Sequence, residues 1–236
     1  MSAAPANLTR VAYDRIRAAI VYGPLDLGEP LSENALARAL GMSKAPVRAA
    51  MSELRLQGLV EVGPQSGTYV FSPTPGQVEA LCDFRFLLEG QALQTAMAHN
   101  GPALVAGLTR VVTLMGEADW TTEEADRPLD REYHQLFITH CGNPYVAEAY
   151  ETIGHRVEAL RYRFMHTTVF RHRAFAEHTE LVALLTAGRV SRAVAVLGEH
   201  IARTRAFQSN VTWSPGRSRR RDYKFREHAD LFRAQP

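Results

Sequence analysis

Residues 72–76 read Ser-Pro-Thr-Pro-Gly, and no other segment constrains the chain as strongly. Two prolines and a glycine within five residues are incompatible with a continuous helix or a central strand. The chain is therefore expected to divide there. Residues 8–71 form one unit, 72–76 a linker, 77–212 a second unit and 213–236 a basic tail. A length of 236 residues suffices for two small cores.

The two sides differ in periodicity. Before the linker, Leu8, Val11, Ala12, Ile16, Ala19 and Ile20 recur at three- and four-residue steps, giving a helix that ends near Gly23-Pro24. Ser32 is expected to cap a short helix over 33–40, closed by Gly41. Ser43 is expected to cap a third over 44–57, closed by Gly58, with Pro46 in its first turn, where a missing N–H costs little. Residues 59–62 and 68–71 read as strands, and Gly63-Pro64-Gln65-Ser66-Gly67 turns between them. Three helices and a hairpin make a winged helix-turn-helix. After the linker, breakers at Gly101-Pro102, Pro128, Gly142-Asn143-Pro144 and Gly188 divide the chain into roughly six helices with no convincing strand. The expected fold is mainly α, with the winged helix followed by an antiparallel all-α bundle.

Charge restricts the partners. Residues 1–72 carry a net +1, residues 73–212 a net −3 and residues 213–236 a net +4. Only a local basic face or the tail can meet a polyanion. The third helix supplies such a face: Val47, Ala50, Met51 and Leu54 fall on one side, and Lys44, Arg48, Ser52 and Arg55 on another. A helix packed on one side and cationic on the other fits the major groove of double-stranded DNA. There an arginine forks onto guanine O6 and N7, while lysine and serine reach phosphates. Gln65, Ser66 and Gly67 form a polar tip on the hairpin beside it. The run Arg217-Ser218-Arg219-Arg220-Arg221 in the tail reads as a flexible solvated segment, or else as extra phosphate attraction.

Here the sequence resembles a known family. Ile16-Arg17, Gly28-Glu29, Leu31-Ser32-Glu33, Leu36-Ala37, Leu40-Gly41, Ser43-Lys44-Ala45-Pro46-Val47-Arg48, Leu54, Gly58-Leu59-Val60 and Gly67 follow the N-terminal signature of GntR-family transcriptional regulators. The resemblance implies operator contacts from Ser43, Lys44, Ala45 and Arg48, from Asn34, and from Gln65, Ser66 and Gly67 at the wing. Lys44 and Ala45 stand where that family usually has Arg and Thr, Asn34 where a basic residue is common, and Ala49 where Glu is usual. Lysine offers a point charge rather than a bidentate fork, so the family's usual operator is not expected.

In the second unit, Asp130 and His134 stand four residues apart and leave one face of a helix. His178 lies ten residues before Gly188 and His200 twelve after it. If Gly188 turns a helical hairpin, the two imidazoles sit about 15 and 18 Å from it, at nearly one level. Three neutral nitrogens and a carboxylate suit Zn²⁺, Ni²⁺, Mn²⁺ or Fe²⁺ and leave coordination positions open. Asp130-x-x-x-His134, Gly142-Asn143-Pro144, Glu177-His178, His200 and Arg85-x-x-x-Glu89 also resemble the landmarks of the FCD effector domain of the FadR-like GntR branch. That resemblance implies a divalent metal on Asp130, His134, His178 and His200, and a small carboxylate effector completing its shell. The roughly six-helix span is more similar to the VanR-type subgroup than to FadR itself, and the metal set argues against acyl-CoA binding.

Arg85 is read as an effector contact or as the partner of Glu89 at i+4. Asn143 and Arg161 are further effector candidates, although a solvated face suits Arg161 and Arg163 better. His140, His155, His166 and His172 lack any paired spacing. Cys141 reads as a buried thiol rather than a soft ligand. Two cysteines make no disulfide framework, and no apolar run approaches the roughly 18–20 residues of a membrane span. The first seven residues lack a signal peptide's basic and apolar regions, so a reducing cytoplasm is the simplest expectation. These features point to a ligand-responsive regulator, in the first instance a repressor, binding a palindromic operator as a homodimer. The competing class is a metal-dependent hydrolase using the Asp/His₃ set, which would leave the winged helix unexplained.

Overall fold

The computed structural model describes residues 7–63, 67–118, 127–164 and 168–210. Two compact units divide between Thr74 and Pro75. The expected linker 72–76 is shorter by its last two residues: Pro75 opens a helix, where its fixed φ suits the first turn and its lost N–H has no intrahelical partner.

The first unit contains α1 (Leu8–Tyr22), β1 (Pro30–Leu31), α2 (Glu33–Leu40), α3 (Lys44–Leu56), β2 (Val60–Val62) and β3 (Thr68–Val70). Asn7 caps α1, its side chain accepting from the Arg10 amide at 3.3 Å. Ser32 caps α2 through the Ala35 amide at 3.3 Å, and Gly41 ends that helix in the left-handed region at φ 65°, which a Cβ would disfavour. Ser43 stands at the N-cap of α3, but its hydroxyl makes no cap bond, which corrects the capping role expected of it. The apolar face of α3 is buried against α1: Val47, Ala50 and Leu54 are fully enclosed with Ile16 and Ile20. Burial of each of the Val, Leu and Ile side chains stabilises by about 1.5–3 kcal/mol. The sheet runs β1-β3-β2, antiparallel throughout, with Val60 opposite Val70 and Leu31 opposite Thr68. The short strand β1 is absent from the sequence-based expectation, because two residues carry no alternation to read.

The second unit contains α4 (Pro75–Glu117), α5 (Arg127–His140), α6 (Pro144–Phe164), α7 (Thr168–Thr186) and α8 (Val190–Asn210). Helix α4 breaks at Asn100, whose φ −152° and ψ 49° are not helical. Pro102 explains the break, since its ring meets the carbonyl four residues back and its nitrogen donates nothing. Counting α4 as two gives six helices among the described residues and no strand among them, so the chain is mainly α as expected. Gly188 joins α7 to α8 at φ 68°, with the Arg189 amide bonded to the Leu184 carbonyl at 2.8 Å. Helix α4 packs against α5, α6, α7 and α8 and forms the core with them, where Leu93, Leu104, Phe137, Leu181 and Leu197 are fully buried.

Candidate metal centre and nucleic-acid face

Helices α5, α7 and α8 each send one histidine to a common point. His134, His178 and His200 are all buried, and one nitrogen from each lies within 4.8 Å of the others. The His178 and His200 ring centroids are 4.9 Å apart across the Gly188 hairpin, and those of His134 and His200 are 5.4 Å apart. Asp130, one turn before His134, brings Oδ1 to 3.8 Å from His134 Nε2 and 3.7 Å from His178 Nε2.

The outer contacts differ among the three rings. His134 Nδ1 is 2.8 Å from Glu89 Oε2, and His200 Nδ1 is 2.8 Å from Glu177 Oε2. A carboxylate only accepts, so each Nδ1 is the protonated nitrogen and each Nε2 keeps its lone pair. His178 stacks on Tyr133 with centroids 4.1 Å apart, and neither of its ring nitrogens has a hydrogen-bond partner although both are buried. Such a group is costly in an apolar interior, so the position calls for a partner.

Arg85, Glu89 and Tyr150 complete the wall. Arg85 Nε donates to Glu89 Oε1 at 2.7 Å, and the Tyr150 hydroxyl donates to the same oxygen at 2.8 Å. Arg85 Nη2 stands 3.1 and 3.2 Å from the two His134 nitrogens, and as a donor it can bond only Nε2, the one that keeps its lone pair. Burial pushes the Glu89 carboxyl up, but the Arg85 charge and the hydrogen bonds from His134 and Arg85 outweigh it and hold it well below the usual range. Burial depresses all three histidines, His200 to about 4 against the pull of Glu177, and His178 well below the ordinary value with the neighbouring His200 and His134 adding to the effect. The cluster is therefore neutral imidazole, the form that donates a lone pair to a metal.

Of the effector candidates, the structure brings Arg85 and Arg161 to this point. Arg161 is buried and ion-paired with Asp130 rather than on a solvated face. Asn143 is not brought there: it is exposed and caps α6, its Oδ1 accepting from the Tyr145 amide at 3.0 Å. Cys141 is a buried thiol donating to the Ile138 carbonyl at 3.1 Å. His172 is exposed, His140 half-buried and His155 close to Glu158, while His166 lies outside the described residues. The orienting carboxylates Glu89 and Glu177 were visible in sequence only as neighbours of Arg85 and His178, with no signal for the histidines they hold.

On the first unit, Asn34, Ser43, Lys44, Ala45, Arg48 and Ser52 are exposed along α2 and α3. Arg48 Nε lies 3.1 Å from Glu33 Oε2, an exposed pair that sequence spacing did not reveal. The Gly63 amide donates to the Gly67 carbonyl at 2.8 Å, closing the hairpin. Gln65, Ser66 and the basic tail lie outside the described residues.

The model for bacterial regulatory proteins of the gntR family matches residues 8–70, and the FCD domain model matches residues 80–203. The chain belongs to the gntR family of bacterial regulatory proteins and carries an FCD domain. It is 29% identical over 192 residues to an HTH-type transcriptional regulator in an unstable DNA locus of Streptomyces ambofaciens, covering 81% of each chain. It is 22% identical over 192 residues to the transcriptional repressor GlaR of Escherichia coli strain K12, covering 77% of this chain and 87% of that one. The fold matches E. coli McbR/YncC with a TM-score of 0.72 at 20% identity, over 88% of this chain and 98% of the other. The families and relatives are transcriptional regulators, not enzymes, and repressors are among them; the hydrolase alternative falls with that finding. Regulators of this family bind DNA. No described helix is long and apolar enough to cross a membrane.

Proposed function

We propose that the chain is a repressor of the FadR-like, VanR-type branch that binds a palindromic operator as a homodimer and senses a small carboxylate through a divalent metal. The observation that carries this reading is the buried set of three neutral imidazoles beside Asp130, with His178 lacking any hydrogen-bond partner. The donor chemistry fits a borderline cation such as Zn²⁺, Ni²⁺, Mn²⁺ or Fe²⁺, held by Asp130, His134, His178 and His200. When bound, the ion supplies a Lewis-acidic point to which a carboxylate oxygen docks.

The chain's own residues do the rest. Asp130 neutralises one charge of the site, and Glu89 keeps the Arg85 guanidinium charged inside the protein, where it faces an incoming anion. Arg161, now held by Asp130, offers a second cation. On the first unit, Arg48 reads guanine and Lys44 holds phosphate, with Asn34, Ser43 and Ala45 on the same exposed surface. The effector changes operator affinity only by favouring one arrangement of the dimer, and a coupling of about 1–3 kcal/mol corresponds to roughly 5–150-fold. Such a protein works in the cytoplasm, where the chromosome is.

Elemental analysis of the purified protein, paired with operator binding across a panel of small carboxylates, tests this reading. His178→Ala is expected to lose metal and effector response while keeping basal DNA binding. A wild-type chain with no divalent metal and no uptake from Zn²⁺, Ni²⁺ or Mn²⁺ would overturn it.

A further inference from the structure

We propose that Glu177 and Glu89 are positioning residues for the metal, each locking one histidine of the cluster with Nε2 turned inward; the inference rests on the metal reading above. Glu177 reaches from α7 to α8, where His200 Nδ1 lies 2.8 Å from its Oε2. Glu89 does the same from α4 to α5, with His134 Nδ1 2.8 Å from its Oε2. Two carboxylates on different helices thus make the same contact with two different rings, and in both cases it is Nδ1 that is engaged.

The remaining oxygens show why these groups orient rather than ligate. Glu177 Oε1 is held by Arg203 Nε at 2.8 Å. Glu89 Oε1 is held by Arg85 Nε at 2.7 Å and by the Tyr150 hydroxyl at 2.8 Å. Each carboxylate is engaged at both ends and cannot swing onto an ion without breaking a charged pair. Asp130 differs, because its Oδ1 faces His134 Nε2 and His178 Nε2, the side on which the lone pairs converge. A carboxylate behind a ligating imidazole fixes its tautomer and raises its basicity, and its removal usually lowers metal affinity about 10–100-fold. His178 has no carboxylate behind it: Tyr133 stacks on its ring and neither nitrogen has a hydrogen-bond partner.

The competing role for Glu177 is a plain staple between α7 and α8, which would affect melting but not the metal. Glu177 is the cleaner arm of the test, since a change at Glu89 also strips Arg85 of its partner. Zn²⁺ affinity is measured on the full chain by competition with a chromophoric chelator, and Co²⁺-loaded protein is read by its visible spectrum. Glu177→Ala is expected to weaken Zn²⁺ binding about 10–100-fold and to shift the Co²⁺ bands. Glu177→Gln, isosteric but uncharged, is expected to weaken it less and carries the test if the alanine variant does not fold. Arg205→Ala, which breaks the exposed pair of α8 with Asp83 and leaves Glu177 on His200, is expected to keep affinity within twofold. Wild-type affinity and an unchanged Co²⁺ spectrum in both Glu177 variants overturn this inference alone. A wild-type chain that takes up neither Zn²⁺ nor Co²⁺ overturns the metal reading and this inference with it.

Discussion

Acidification of the chelator-treated protein is expected to unfold the helical unit through its histidines, well before its carboxylates titrate. The perturbation acts on the difference between folded and unfolded protonation. Above pH 6.5 the rings are neutral in both states, and stability does not depend on them. As pH falls below that value the unfolded chain takes up protons, while burial holds His200 to about 4 and His178 well below its ordinary value. A depressed folded value means stability present above the unfolded value and lost on the way down. Between pH 7.5 and pH 5 the His200 ring removes about 2 kcal/mol, and His178 adds to the loss in the same direction. That is a large share of the roughly 5–15 kcal/mol of an ordinary domain. Glu89 and Glu177 also have depressed values, but their contributions are lost only below the usual carboxylate value of 4.5. Urea unfolding followed by circular dichroism at pH 7.5, 6.5, 5.5 and 5.0, with chelator present, measures the effect. His200→Asn removes one titrating ring and is expected to shrink the loss by about 2 kcal/mol. Equal stability at pH 7.5 and 5.0, or an unchanged loss in that variant, would refute the reasoning.

Arg48→Ala is expected to cost about 1–3 kcal/mol of operator binding and to relax sequence preference, whereas Lys44→Ala weakens binding evenly and lowers the salt slope by about one, both read by fluorescence anisotropy. Glu89→Leu leaves Arg85 buried without its carboxylate, and a loss of about 3–5 kcal/mol in denaturant unfolding is expected. Gly188→Ala meets no neighbouring atom within 4 Å, so its expected cost of about 1–2 kcal/mol comes from the left-handed backbone alone, with Zn²⁺ affinity unchanged.

How much of this was legible in the chain depends on the range of each interaction. The packed and exposed faces of α3 follow from a 3.6-residue period, and Val47, Ala50, Met51 and Leu54 are buried together. The level of His178 and His200 could be counted from Gly188, because a glycine that ends one helix and starts its antiparallel neighbour fixes the register on both sides. Contacts across helices distant in sequence could not be counted. Glu89 and His134 are 45 residues apart, and whether they meet depends on how α4 and α5 are rotated about their axes. Arg161 looked like part of a solvated run for the same reason. Asn143 looked like a polar site residue, yet a residue of that type just before Pro144 satisfies the first amides of α6, a local role with equal claim on the sequence.

The pairing of Glu33 with Arg48 bears on how quickly such a regulator would search a chromosome. An exposed ion pair of this kind stabilises by only about 0.2–1 kcal/mol, so it yields readily to a stronger contact. While it persists, Arg48 is partly neutralised and fewer counterions are displaced from any stretch of phosphates the helix happens to touch. Where a guanine stands at the right depth, a bidentate contact of about 1–3 kcal/mol outweighs the lost pair and the guanidinium turns over to the base. If Arg48 reads the operator as proposed, the acid on α2 would sharpen discrimination by making the arginine a poorer ligand for everything except its target.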